Sequence, residues 1–293
     1  MSRVMTTHIA DRLLAASSDK GAPVCVGLDP VLDRLPSSLR RAAPAEAVES
    51  FCRRVIDAVC HEVPAVKPQS ACFERYGADG VAAYHRVVEH ARQSGLIVIG
   101  DAKRGDIGTS SDHYASALLG GEHGCDLLTV NGYLGGDGIE PFLDVAQPHG
   151  RGVFVLVRTS NPGGDAIQSL RLEDGRTVCQ AVGDVVAKLG QRSVGASGYS
   201  SVGMVVGATK PEDAASLRER YPQQLFLVPG FGAQGGSAED VQACFKPDGT
   251  GAIITASRSV IYAFAGKTGE WSGHVRDAAA KLRADISEIL AGP

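Results

Sequence analysis

Eight short apolar, β-branched runs recur along this 293-residue chain, and their recurrence constrains the fold more than any other feature. They are VCVGLD (24–29), AVKPQ (65–69), LIVIGDAK (96–103), LLTVN (127–131), GVFVLVRTS (152–160), VGMVVGAT (202–209), QLFLVPG (224–230) and AIITASR (252–258). None alternates strictly between apolar and polar residues, which is the pattern of parallel strands covered on both faces. The segments between them carry helical spacing. Val81, Tyr84, Val88 and Ala91 recur at three to four residues and are expected on one helical face. Thr209-Lys210-Pro211-Glu212 reads as a capping box with proline in the first turn. Val275, Ala278, Leu282, Ile286 and Ile289 form a further stripe near the C-terminus.

Eight strand–helix units in about 270 residues predict an α/β fold, a (β/α)₈ TIM barrel. The rival, an open doubly wound sheet, has about five to seven strands and a glycine-rich first turn. Here the first run ends in Asp29-Pro30, and no GxGxxG follows it. Residues 1–293 are therefore expected to form a single domain. Residues 1–23 are expected to add a helix before the barrel. An elaborated connection is expected at about 161–201, with a hairpin-like SLRLEDGRTVCQ and one helical stretch.

Composition removes several function classes. With 44% hydrophobic and 21% charged residues the chain is not globally disordered, and a net charge of −4 argues against nucleic acid as the main partner. No apolar run reaches the roughly 18 residues of a membrane span. The start, MSRVMTTHIADRLL, has no continuous apolar stretch followed by a small-residue cleavage site, so a cytoplasmic protein is expected. The cysteines at 25, 52, 60, 72, 125, 179 and 244 are odd in number and include no CxxC pair. That usage fits reduced, mostly buried thiols better than a zinc site or disulfide framework. The eight histidines show no HxxH or HExxH spacing, and neither Ser110-Ser111 nor Cys125 has a recognisable base partner.

Chemistry in such a barrel belongs at the C-terminal strand ends. The first run ends in Asp29, and the second carries Lys67. The third ends in Asp101-Ala102-Lys103, with Arg104 and Asp106 beyond. Asp101 and Lys103 are two apart, so in a strand they project to the same side, near Lys67 on the adjacent strand. Alternating charges of this kind could simply be a salt-bridge network closing the barrel, since buried charges need partners. A second constellation favours a ligand. Pro229-Gly230-Phe231-Gly232-Ala233-Gln234-Gly235-Gly236 follows the seventh run and Ala256-Ser257-Arg258-Ser259 ends the eighth. These two loops are the usual phosphate position of the fold, with backbone N–H groups and the Arg258 fork as donors.

GDAKRGDIG (100–108), GLDP (27–30), VKPQ (66–69), TSNPG (159–163), PGFGAQGG (229–236) and ASRS (256–259) together resemble the orotidine 5′-phosphate decarboxylase family. The longer chain and VKPQSACFERYG resemble its bacterial type 2 branch. The resemblance implies decarboxylation of orotidine 5′-phosphate to uridine 5′-phosphate without metal or organic cofactor. It implies Lys103 as the acid that protonates C6 and Asp101 beside the substrate carboxylate. Lys67 and Asp29 would hold the ribose hydroxyls, and Ser160 the amide edge of the pyrimidine. Gln234, Gly235 and Arg258 would take the phosphate. Asp106, Ile107 and Ser110 would reach into the site of a second subunit in a homodimer. Ser110 stands where the family often has threonine, and Gly132 follows Asn131 where proline is expected. Metal-dependent sugar-phosphate enzymes of the same barrel type resemble the Asp-x-Lys-x-x-Asp stretch too. They need a carboxylate at the end of the second strand, where this chain has Lys67. A non-catalytic phosphate-binding barrel would need the phosphate loops but not the four charges.

Overall fold

The alternation of apolar runs and helices closes on itself. The structure, a computed structural model, describes residues 7–231 and 238–291. Its strands are β1 (Val24–Leu28), β2 (Ala65–Pro68), β3 (Ile97–Arg104), β4 (Leu127–Asn131), β5 (Gly152–Arg158), β6 (Val202–Val206), β7 (Phe226–Pro229) and β8 (Ala252–Ala256). Each pairs in parallel with the next, and β8 returns to β1 through Val24 opposite Ile254, giving a closed barrel. All eight runs thus become strands.

Helices alternate with the strands. The chain forms α1 (Ile9–Lys20), α2 (Pro44–Val59), α3 (Ala71–Glu74), α4 (Gly77–Gln93), α5 (Gly108–Leu119) and α6 (Glu140–Ala146). It continues with α7 (Asp165–Gln168), α8 (Val178–Gly190), α9 (Pro211–Arg220), α10 (Ala238–Gln242), α11 (Arg258–Ile261) and α12 (Trp271–Ala291). Strand parity divides the core in two. Val24, Val26, Leu28, Val66, Val98 and Leu128 point outward and join the layer under the helices. Cys25, Ala65, Ile97, Ile99, Leu127 and Ile253 point into the lumen, where Ile9, Ala10 and Leu13 of α1 pack against the same cluster.

Two local expectations need correction. On α4 the buried face is Gly80, Ala83, Tyr84, Val87, Val88 and Ala91, whereas Val81 is 42% exposed. A Cβ at Gly80 would lie 1.9 Å from the Phe73 carbonyl oxygen, so glycine lets that turn approach α3 and rotates Val81 outward. The capping box at Thr209 does not form. The N-cap of α9 is Lys210, without a side-chain cap, and Thr209 Oγ1 is buried with no hydrogen-bond partner. Pro211 does occupy the first turn. A capping box forms instead at α8, between Thr177 and Gln180.

The C-terminal stripe packs along α12. Val275, Leu282 and Ile286 are buried, Ala278 and Ile289 partly so, and Ala279 fills the gap between them. Between β5 and β6 the chain makes α7, an antiparallel bridge from Arg171 to Thr177, α8, and a second bridge from Val194 to Ser200. Cys25, Cys52, Cys125, Cys179 and Cys244 are buried thiols. Among the described residues no helix is long and apolar enough to cross a membrane.

Candidate active site

Lumen parity that is apolar low in the barrel becomes charged at its C-terminal end. Ile97 and Ile99 are followed on the same side of β3 by Asp101, and Ala65 on β2 by Lys67. Lys67 Nζ donates to Asp101 Oδ2, and Lys103 Nζ donates to Asp101 Oδ1 at 2.5 Å. Lys67 and Asp101 are buried, while the Lys103 side chain is 47% exposed towards the cavity mouth. Burial alone would raise the Asp101 carboxyl, but the two ammonium groups outweigh it and hold the carboxyl down at about 2. Burial likewise disfavours the Lys67 ammonium. Asp101 and Asp29 reverse that and leave its pKa above the ordinary lysine value. Asp29 directly follows β1, with its Oδ1 buried and without a hydrogen-bond partner. Such a group is an acceptor awaiting a donor.

These side chains line a cavity of about 540 Å³ at the barrel mouth. Asp29, Lys67, Asp101 and Lys103 form one wall, and Ser160 and Arg258 also line it. Leu156, Val205, Leu227, Pro229 and Phe231 supply apolar surface. Ser160 is carried by a loop that is latched from below. Arg158, 2% exposed, pairs with Asp165 of α7 at 2.5 Å and Asp213 of α9 at 2.7 Å. Gln168 accepts from Thr159 N at 2.9 Å and donates to its hydroxyl at 2.8 Å. Arg258 begins α11, and the Oγ of the preceding Ser257 is buried without a partner. Gln234 and Gly235 lie outside the described residues.

Three expected residues lie elsewhere. Asp106 accepts from Ile107 N at 2.8 Å and makes no ion pair with its own Lys103 among the described residues. Ile107 is 60% exposed, and Ser110 is exposed on the first turn of α5. The glycine at 132 has a local reason: a Cβ there would come within 2.7 Å of Val182 and 2.8 Å of Val155, so the loop after β4 packs too closely for a side chain.

Sequence reasoning passed over Thr129, Gln69 and Ser257, all of which line the cavity. Thr129 carried a usable signal, because it is a polar residue at lumen parity between apolar neighbours. Chemically the arrangement offers a fixed ammonium beside a paired carboxylate, roomy apolar walls, and an arginine at the start of a helix. It can stabilise charge developing on a bound atom, return a proton to that atom, and hold an anion at a distance from it.

The profile of the family described as orotidine 5′-phosphate decarboxylase / HUMPS matches residues 22–267. An orotidine 5′-phosphate decarboxylase of Rhodopirellula baltica is 46% identical over 267 residues, covering 87% of this chain and 88% of that protein. Its counterpart in Clostridium acetobutylicum is 37% identical over 278 residues, covering 94% and 96%. The solved structure of Leishmania donovani OMP decarboxylase matches with a TM-score of 0.79 at 32% identity, over 98% of this chain and 100% of that one. UMP synthase of the same organism matches with a TM-score of 0.82 at 34% identity, over 98% of this chain and 57% of the longer one.

Proposed function

The chain belongs to the orotidine 5′-phosphate decarboxylase / HUMPS family, and from that premise we propose how its site performs the reaction. It is a carboxy-lyase of pyrimidine biosynthesis that converts orotidine 5′-phosphate to uridine 5′-phosphate. The observation that carries the mechanism is the pair of lysine ammoniums held on one buried carboxylate at the cavity wall. As the bond from C6 to the carboxylate breaks, its electron pair stays on C6 and carbon dioxide leaves. The Lys103 ammonium stabilises that charge and then gives C6 its proton. Asp101 holds the Lys103 ammonium by its Nζ and lies beside the departing carboxylate.

The other roles are proposed on the family resemblance. Lys67 and the unpartnered Asp29 take the ribose hydroxyls, and Ser160 takes the amide edge of the base. Gln234, Gly235 and Arg258 take the phosphate, whose binding energy is available for orientation away from the reacting carbon. No metal is needed, because Lys67 puts an ammonium where a metal-using relative would require a carboxylate.

The protein works as a cytoplasmic homodimer with shared sites. Ile107 and Tyr133, 60% and 79% exposed, lie on segments that touch each other, since a Cβ at Gly138 would sit 3.2 Å from the Asp106 carbonyl. Leu134 and Tyr114 extend the exposed apolar surface. A second copy covering this surface would bury it and bring Asp106 to the partner's lysine. One experiment tests both points, a spectroscopic assay with orotidine 5′-phosphate after exhaustive chelation. Wild type is expected to keep full activity. Lys103→Ala and Asp106→Ala, each nearly inactive, are expected to recover roughly a quarter of it when unfolded and refolded together, because random pairing restores half the sites in half the dimers. Activity that needs magnesium overturns the metal-free mechanism, and a mixture no better than its parents overturns the shared site.

A further inference from the structure

Lys103 stands in a backbone conformation that the chain adopts at no other non-glycine position among the described residues, with φ at 48°. Left-handed backbone is costly for a side chain with a Cβ, so something must hold it there. The strand ladder does not. Between β3 and β4, Gly100 lies opposite Leu128 and Arg104 opposite Val130. Four steps along β3 thus match two along β4, and the residues between form a bulge facing Thr129.

Thr129 is 1% exposed, and its hydroxyl meets the bulge alone. Its Oγ1 accepts from Ala102 N and Lys103 N, each at 3.0 Å, replacing the carbonyl partners that the bulge removes. The hydroxyl proton faces Asp101 Oδ1 at 3.1 Å and the more distant Gly100 carbonyl at 3.4 Å. A hydroxyl has two acceptor sites and one donor, and all three are engaged here. The donor reaches the same Asp101 oxygen that receives Lys103 Nζ. One side chain therefore fixes the backbone of Lys103, the backbone of Ala102 and the carboxylate that orients the lysine.

We infer that Thr129 is a positioning residue for the decarboxylation, strapping the β3 bulge so that Lys103 and Asp101 keep their mutual geometry. The inference rests on Lys103 and Asp101 carrying the reaction. It explains why the strain falls on the lysine itself. An unbulged β3 would carry position 103 further along the strand, whereas the left-handed turn brings its ammonium back onto Asp101. The bulge has no other side-chain acceptor among the described residues, so removing the hydroxyl leaves two backbone N–H groups unpaired.

Thr129→Val keeps the shape and removes the oxygen, while Thr129→Ser keeps the oxygen and removes the methyl. The test measures kcat with orotidine 5′-phosphate, affinity for uridine 5′-phosphate by calorimetry, and thermal unfolding, with Lys103→Ala in parallel. Valine is expected to lower kcat about a hundredfold or more while product affinity stays within about threefold, because the ribose and phosphate groups lie elsewhere. Serine is expected to remain within about fivefold of wild type in both. If valine prevents folding, Thr129→Ala is measured in its place with the same expectation. A valine or alanine variant with kcat within about threefold of wild type overturns the inference. So does a serine variant as impaired as valine, or a valine variant that loses product affinity in step with kcat, since either describes general packing. An active Lys103→Ala protein would instead overturn the catalytic reading beneath it.

Discussion

The two ends of the barrel lumen are built from the same strands and obey opposite rules. At the N-terminal end Cys25, Ala65, Ile97, Ile99, Leu127, Phe154 and Ile253 form a dry cluster that Ile9, Ala10 and Leu13 close from below. Two residues further along β2 and β3 the lumen positions are Lys67 and Asp101. There a buried carboxylate carries two ammoniums, Asp29 Oδ1 and Ser257 Oγ lack partners, and Lys103 has a positive φ. The lower layers supply burial, about 25 cal/mol for each Å² of apolar surface. The upper layer holds strain and unmet polar groups that only a ligand of matching shape satisfies. Stability and function are thus separated along one strand by about 6–7 Å, the rise of two residues.

The largest expected effect breaks the upper layer at its most exposed member. Lys103→Ala should lower kcat by on the order of 10⁴, combining a lost general acid with a lost electrostatic partner. Its melting temperature should stay close to wild type, because the side chain is already half exposed. Turnover above a hundredth of wild type would remove Lys103 from the chemistry.

Asp101, in the same upper layer, differs because it carries stability as well as chemistry. Asp101→Asn removes the charge that pairs buried Lys67, and denaturant unfolding should show a loss of about 3–5 kcal/mol. Adding Lys67→Met should restore much of that stability and none of the activity. The pH dependence has a fixed sign. A carboxyl whose pKa is depressed on folding contributes fully above its unfolded value and loses the contribution as pH falls through the folded one. The difference between wild type and Asp101→Asn should therefore be flat from about pH 5 to 8. It should shrink only as pH drops from the ordinary 3.8 towards about 2. A difference that already fades at pH 6 would mean the two lysines do not grip the carboxylate as described.

Arg258, just after β8, sharpens the comparison through the phosphate. Arg258→Ala should cost kcat/KM for the nucleotide the equivalent of about 2–5 kcal/mol, and barely change turnover of the nucleoside without phosphate. Equal losses for both substrates would assign Arg258 to the scaffold.

The barrel was legible because its signals are local: eight apolar runs with helical spacing between them. The charged wall was legible for a related reason, since lysine and aspartate at lumen parity have no structural excuse unless paired. Other features depend on contacts that one strand's sequence does not carry. Gly80 rather than Val81 faces the core because of the Phe73 carbonyl, which arrives from α3. Thr209 misses its cap because the N-cap of α9 falls one residue later, on Lys210, so the spacing to Glu212 no longer matches. The left-handed Lys103 follows from a register shift against β4, and register belongs to the pair. Thr129 is the partner in that pair; its polarity was visible in the sequence, but its role depends on the bulge.

The smallest effect tests the lower layer. Ile99 is fully buried on β3, two residues before Asp101 and at the same parity. Ile99→Val removes one methylene from a close-packed interior and should cost about 0.5–1.5 kcal/mol, read as a lower denaturant midpoint with unchanged slope. If the two ends are as separable as their chemistry suggests, kcat and KM of the folded protein should not move. The route by which they could move is short, because any relaxation into the space would be passed along β3 to Asp101 and Lys103. Interiors transmit strain when they are tightly packed. The outcome therefore turns on Thr129, whose hydroxyl ties that segment to β4 rather than to Ile99. A kcat that falls in Ile99→Val, and falls further when Thr129→Ser is added, would show that the strap is weak and that packing below helps to aim the lysine above. Unchanged kinetics with the expected loss of stability would establish β4 as the anchor of the catalytic wall.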